Sequence, residues 1–134
     1  MKKHITTILL ILVLVVGLSL ILYPTIADWW NSFHQSRAIA DYDAILSEMK
    51  EEDYTHLFEA AMAYNEQLRQ LKFPLMYYDQ VPGYDDLLDI TGTGIMGYID
   101  IPSIQVELPI YHGTSEGVLQ IAAGHVEGSS LPTG

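Results

Sequence analysis

Hydrophobic and polar positions fall into three regimes along this chain of 134 residues. From Ile5 to Tyr23 nearly every residue is apolar, interrupted only by Thr6, Thr7, Gly17 and Ser19. At about 1.5 Å per residue, a helix of that length nearly crosses a hydrocarbon core. From Asp28 onward apolar residues recur at helical spacing. Tyr42, Ile45, Leu46 and Met49 form a stripe, extended back by Ile39, which predicts a helix from Asp28 to about Met49. Lys50-Glu51-Glu52-Asp53 is a polar break, with Asp53 a fair N-cap for a second helix. There Leu57, Ala61, Tyr64, Leu68 and Leu71 share a face, with Phe58 beside them. Two such helices on a short joint predict a helical hairpin over residues 28–71.

From Gly94 the period changes to two. Ile95, Gly97, Ile99 and Ile101 fall on one face, with Met96, Tyr98 and Asp100 opposite. In a second run Ile104, Val106, Leu108 and Ile110 alternate with Gln105, Glu107 and Tyr111. This pattern predicts two strands with one face buried, separated by a turn at Pro102-Ser103. Two strands alone are marginal, so they read as the opening of a larger sheet. Between the regimes, Lys72–Gly83 reads as a loop in which Pro74 and Pro82 end regular structure. After the second run, Thr114 can cap a short helix to Ala122, and Gly124 can close it.

Charge narrows the choice of partners. The formal net charge is −11, with 17 carboxylates against 6 lysines and arginines. That argues against nucleic acid and against anionic headgroups as partners. Lys2 and Lys3 precede the apolar run and Asp28 follows it, which predicts an amino terminus in the cytoplasm. Tyr23, Trp29 and Trp30 would sit at the outer interface. Thr25-Ile26-Ala27 is a poor cleavage site and the apolar run exceeds a usual signal core, so an uncleaved anchor over Ile5–Tyr23 is favoured over a signal peptide.

The candidate chemistry is sparse. No cysteine is present, which excludes disulfides and thiolate metal sites. Asp85, Asp86 and Asp89 cluster near Thr91 and Thr93, but DDLLDITGTG lacks the alternating oxygens of a calcium loop and reads as helix-capping. His34 and His56 are isolated and read as surface or packing residues. No nucleophile is evident for His112 or His125, and no GxSxG elbow surrounds Ser129 and Ser130. Neither a metal nor a cofactor is expected.

One stretch carries a family resemblance. The segment Tyr84–Ile99, YDDLLDITGTGIMGYI, leads into the run IPSIQVELPIYHGTSE (Ile101–Glu116) and then AGHVEGSSLP (Ala123–Pro132). Together they are similar to the first strands of the sortase barrel, closest to class C sortases. Those are membrane-anchored cysteine transpeptidases that polymerise pilins on Gram-positive bacteria. The resemblance implies an α+β fold: a transmembrane helix, a helical hairpin, then the first strands of a sortase-type closed β-barrel, incomplete here. It divides the chain into a cytoplasmic terminus (1–4), an anchor (5–23), helices (28–71), a lid-like loop and linker (72–93) and the start of the barrel (94–134).

The resemblance also implies what this chain lacks. Sortases use a cysteine, a histidine and an arginine, and in class C members the histidine follows the SSLP element. The chain thus reads as an amino-terminal fragment with no catalytic residue of its own. Ala123-Gly124-His125 mimics the histidine segment of class A sortases, but its position before EGSSLP marks His125 as structural or loop-exposed. In class C members a lid bearing Asp-Pro-aromatic precedes the first strand. Here Phe73-Pro74-Leu75 has an aromatic beside a proline, with Lys72 in place of the aspartate, so a lid at these three residues is an expectation beside that of a plain connector. Leu131-Pro132-Thr133-Gly134 resembles a sorting signal one residue short of LPxTG. The implied partners are pilin or surface-protein sorting signals, through the complete enzyme, and the membrane, through Ile5–Tyr23. A non-enzymatic reading competes: an acidic, membrane-anchored extracytoplasmic scaffold.

Overall fold

The computed structural model describes residues 2–133 and divides into two compact units, one ending at His34 and the next beginning at Gln35. Met1, Gly134 and the side chains of Lys2 and Lys3 lie outside the described residues, and with them the basic flank used to orient the anchor and the last residue of the LPTG stretch.

From Lys2 onward the first unit is helical. Helix α1 runs Lys2–Glu48, and from His4 it is long and apolar enough to cross a membrane. Between Ile5 and Ile26 its leucines, isoleucines and valines are exposed all round, as lipid-facing residues would be. The helix continues through Pro24. Proline removes one backbone bond and crowds the preceding turn, a cost that membrane helices commonly accommodate by local adjustment.

The second unit holds a small core. Glu51–Gln70 forms α2, and its predicted stripe is buried: Ala61, Tyr64 and Leu68 are almost fully enclosed, with Leu57 and Leu71 packed beside them. Asp53 does not occupy the N-cap. Lys50 does, and Asp53 one turn in accepts the Lys50 N–H at 3.0 Å. That reach back satisfies a backbone donor which a lysine side chain cannot. The Tyr54 hydroxyl then donates to Leu46 O of α1 at 2.7 Å. Val81, Tyr84, Leu88, Met96 and Leu131 complete the core.

The sheet has three strands in the order β1-β2-β3 and is open rather than closed. Ile95–Ile101 (β1) pairs antiparallel with Val106–His112 (β2) across a turn at Pro102–Ile104. The expected alternation fails at both ends. Met96 is an extra residue in a bulge between Ile95 and Gly97, so Ile95 and Met96 are both buried instead of pointing apart. Ile104 lies in the turn, not in the strand, and is exposed along with Ile99 and Ile101.

Helix closure at Gly124 is also overturned. The helix shrinks to α4, Glu116–Leu119, with Ser115 rather than Thr114 at its N-cap. Ala123–His125 forms β3, parallel to β2. Gly124 is needed there for closeness: a Cβ would sit 2.4 Å from Gly113 O. Pro74 likewise opens a helical turn, α3 (Pro74–Tyr77), instead of ending one, since proline suits a first helical position.

The acidic cluster does one well-defined job. The Asp89 carboxylate accepts from the N–H groups of Thr91 (3.1 Å), Gly92 (2.9 Å), Thr93 (3.3 Å) and Gly94 (2.8 Å), and from the Thr91 hydroxyl (3.1 Å). It therefore folds the lead-in to β1. Burial raises its pKa, but the donors of Gly94, Thr91 and Gly92 outweigh burial and leave it below the usual aspartate value. A carboxylate lowered on folding contributes stability that is complete above its unfolded pKa, about 4, and is lost as pH falls through the folded value. Asp89→Ala is expected to cost about 1–3 kcal/mol at pH 7. Urea melts at pH 7 and pH 3 check this: the difference between variant and parent should shrink at the lower pH.

Candidate functional site

The chemistry-bearing side chains of the second unit gather round Tyr84. A 3-10 turn at Tyr84–Asp86 aims this ring into the core, edge-on to His112 at 5.0 Å and tilted against Tyr64 and His125. Its hydroxyl accepts the Gly113 N–H at 3.1 Å. It lies 2.8 Å from His125 Nδ1 and 3.1 Å from His125 O, so its single proton is shared between those acceptors. One hydroxyl thus joins the end of β2 to β3. Burial raises the Tyr84 pKa, which keeps the phenol protonated and able to donate.

His125 has a determinate pattern. Its Nε2 lies 3.2 Å from Ser130 O, which can only accept, so Nε2 carries the proton and Nδ1 receives the Tyr84 hydroxyl. Ser129 Oγ is also 3.2 Å from Nε2. A serine beside a histidine resembles a nucleophile with its base. The geometry points the wrong way: Ser129 donates its proton to Val126 O at 2.6 Å, and Nε2 has no lone pair to take it. His112 is held as firmly, with Nδ1 3.0 Å from Gly94 O and Nε2 2.7 Å from Leu87 O. A neutral ring donates to one of these carbonyls and only a protonated ring donates to both. Both histidines therefore act as cross-links between segments. His34 bonds within its own helix, to Trp30 O, and His56 lies 3.9 Å from Glu59 at the surface.

The AGHVEGSSLP element is clamped from two sides. On one, Asn65 of α2 pairs with the Leu131 peptide, Nδ2 donating to its carbonyl at 2.9 Å and Oδ1 accepting its N–H at 2.7 Å. On the other, Gly128 lies against Pro74 and Leu75: a Cβ there would fall 2.5 Å from Pro74 O and 2.9 Å from Leu75 Cα. Gly128 also has φ +79°, a left-handed conformation that suits glycine. The charge of the Glu127 carboxylate leads the causes that raise the Tyr78 pKa. Phe73 and Leu75 themselves are exposed. The sequence reading named Phe73, Pro74 and Leu75, but it missed Tyr84, Asn65 and Glu127. Tyr84 and Asn65 look like ordinary loop and helix residues in the sequence, and only the packing brings them to His125 and Leu131.

Among the described residues no group of three or more histidines, aspartates or glutamates is placed to hold a metal ion. Asp85, Asp86 and Asp89 do not converge, because Asp89 is directed onto its own loop.

No family model and no curated protein matches the chain. Solved structures do. It is 46% identical to sortase C1 from Streptococcus agalactiae, covering 72% of this chain and 50% of that one, with a TM-score of 0.60. It is 33% identical to sortase C from Streptococcus pneumoniae, covering 72% and 49%, with a TM-score of 0.57. A sortase C from Clostridium perfringens, solved with the C-terminal cell wall sorting motif, is also 33% identical, covering 72% and 49% at a TM-score of 0.50. The chain spans about half the length of these relatives.

Two tyrosines separate the hydrogen-bonding role from packing. Tyr84→Phe strands the buried Gly113 N–H and is expected to cost about 1–3 kcal/mol. The Tyr64 hydroxyl is buried with no partner among the described residues, so Tyr64→Phe should be neutral or stabilise by up to about 1 kcal/mol. Thermal melts of the two variants check the contrast; equal losses would refute it.

Proposed function

We propose, from this likeness to class C sortases, that the chain is the amino-terminal part of a membrane-anchored sortase of that class. The observation that carries the reading is the 46% identity to sortase C1 over most of the chain, joined to a shared fold. The complete enzyme is a cysteine transpeptidase. Its thiol attacks a sorting signal of the LPxTG kind, forming a thioester with release of the carboxy-terminal piece. An amine of a pilin subunit then attacks the thioester and frees the thiol. The solved complex of the Clostridium perfringens relative with a cell wall sorting motif supports that substrate class.

This chain contributes location and framework to such an enzyme. The long apolar helix anchors it in the membrane of a Gram-positive cell, with the amino terminus cytoplasmic and the second unit outside. Strands β1–β3 open the barrel. With no cysteine, the chain holds no thiol to carry an acyl group, and its two core histidines are already engaged in bonds between segments. The chain alone is therefore inactive.

The loop Lys72–Gly83, with Phe73, Pro74 and Leu75 near its start, is the lid of the complete enzyme. What supports this is its seat. It rests on Gly128 and on Glu127 through few contacts, with Phe73 and Leu75 presented outward. A short helical turn begun by proline keeps those two side chains displayed at small entropic cost.

Two measurements test the proposal. Purified chain should leave an LPxTG peptide uncut, whereas the product of a longer reading frame carrying a TCxP-like cysteine segment should cut it and lose activity on Cys→Ala. Cleavage by this chain alone would refute the assignment. In that longer product, Phe73→Ala should speed alkylation of the cysteine several-fold; an unchanged rate would refute the lid.

A further inference from the structure

An apolar groove of about 440 Å³ lies in the second unit. Ile45 of α1, Met49 just after it, Leu57 and Ala60 of α2, and Leu87 and Ile90 of a later loop line it. A second hollow of about 270 Å³ shares Leu57, Leu88 and Ile90 with it. Between the two sits Leu88, buried in a left-handed conformation at φ +62°. That conformation is strained for a bulky side chain and persists only where the surroundings enforce it. The groove is thus a built feature.

Its rim is predominantly acidic, with His56 beside the carboxylates. Asp53 and Asp86 lie within the lining. Residues 45–60 carry five carboxylates (Glu48, Glu51, Glu52, Asp53 and Glu59) against Lys50 alone, and residues 85–90 add three more. Asp53 is partly engaged by the Lys50 N–H, and Asp89 by its own loop. No ion pair neutralises Asp53 or Asp86 among the described residues. An unpaired carboxylate beside an apolar hollow favours a ligand that brings both apolar surface and positive charge.

We propose that this groove docks a short, basic amphipathic segment of a partner protein, its apolar side chains in the hollow and its lysines or arginines on the Asp53–Asp86 rim. Charge selects this occupant over the alternatives. A second copy would set acidic rim against acidic rim, and the chain's net charge of −11 adds to that repulsion. An anionic membrane surface is repelled in the same way. The inference does not depend on the transpeptidase reading.

The test titrates the full chain in zwitterionic nanodiscs with a fluorescent synthetic peptide of repeated Lys-Leu-Leu-Lys, against empty nanodiscs. Two control peptides replace lysine by glutamate or leucine by serine. Saturable binding is expected for the parent peptide only, weakening as salt rises. Ala60→Trp fills the hollow from an exposed helix position and should weaken binding about tenfold. Asp86→Asn should weaken it about threefold and flatten the salt dependence. Should Ala60→Trp melt differently from the parent, Ile45→Lys on the partly exposed rim carries the same prediction. Absent binding, equal binding of the glutamate peptide, or unchanged affinity in a normally folded Ala60→Trp variant would overturn the proposal. So would a self-association that Ala60→Trp abolishes, which would assign the groove to a second copy.

Discussion

A single phenol hydroxyl sets the arrangement of the second unit. Tyr84 accepts from the Gly113 N–H and donates toward His125, so the end of β2 and the whole of β3 are tied to one point. A three-residue parallel strand has little stability of its own, because few ladder bonds must offset the ordering of a connection. The ring supplies what the ladder lacks. It packs on Tyr64 of α2 and on His112 of β2, so the helical layer and the sheet meet on its two sides. Burial keeps it protonated, and protonation is what lets the same atom both accept and donate.

What could be read in advance follows from which forces are local. The stripe Ala61, Tyr64, Leu68 announced its own burial, because helical spacing alone brings those residues to one face. The strand pattern was read correctly as strand and wrongly as a buried face. Period two fixes which side a residue points to only while the ladder stays regular, and the bulge at Met96 breaks it. Gly124 was taken for a helix terminator because its reason for being glycine, the Gly113 carbonyl against its backbone, comes from a different segment. Of the functional segment, the AGHVEGSSLP motif was visible as a string, but its clamps through Asn65 and Gly128 arise only on folding.

The two sides of that clamp differ in kind. The Asn65 side chain matches both polar atoms of the Leu131 peptide, a directional bond pair that is broken only by unpairing both groups. The Pro74–Gly128 side is a backbone contact of shape. Contacts of shape tolerate sliding and separation better than paired hydrogen bonds do, because no buried polar group is left stranded. The element is therefore anchored firmly to α2 and more lightly to the segment from Phe73 to Gln80.

The same reasoning explains why polar residues that look reactive are not. Reactivity requires a lone pair or a proton free to move toward a substrate. His125 has committed its proton to Ser130 O and its lone pair to Tyr84. Ser129 has committed its proton to Val126 O. Asp89 is saturated by the N–H groups of its own loop. Each group is satisfied by the chain that carries it, which makes these residues struts, and a strut cannot also act as base or nucleophile without loosening the fold. Chemistry grafted onto this framework must come from side chains outside the network, which a sortase of the kind proposed supplies with a cysteine and an arginine of its own.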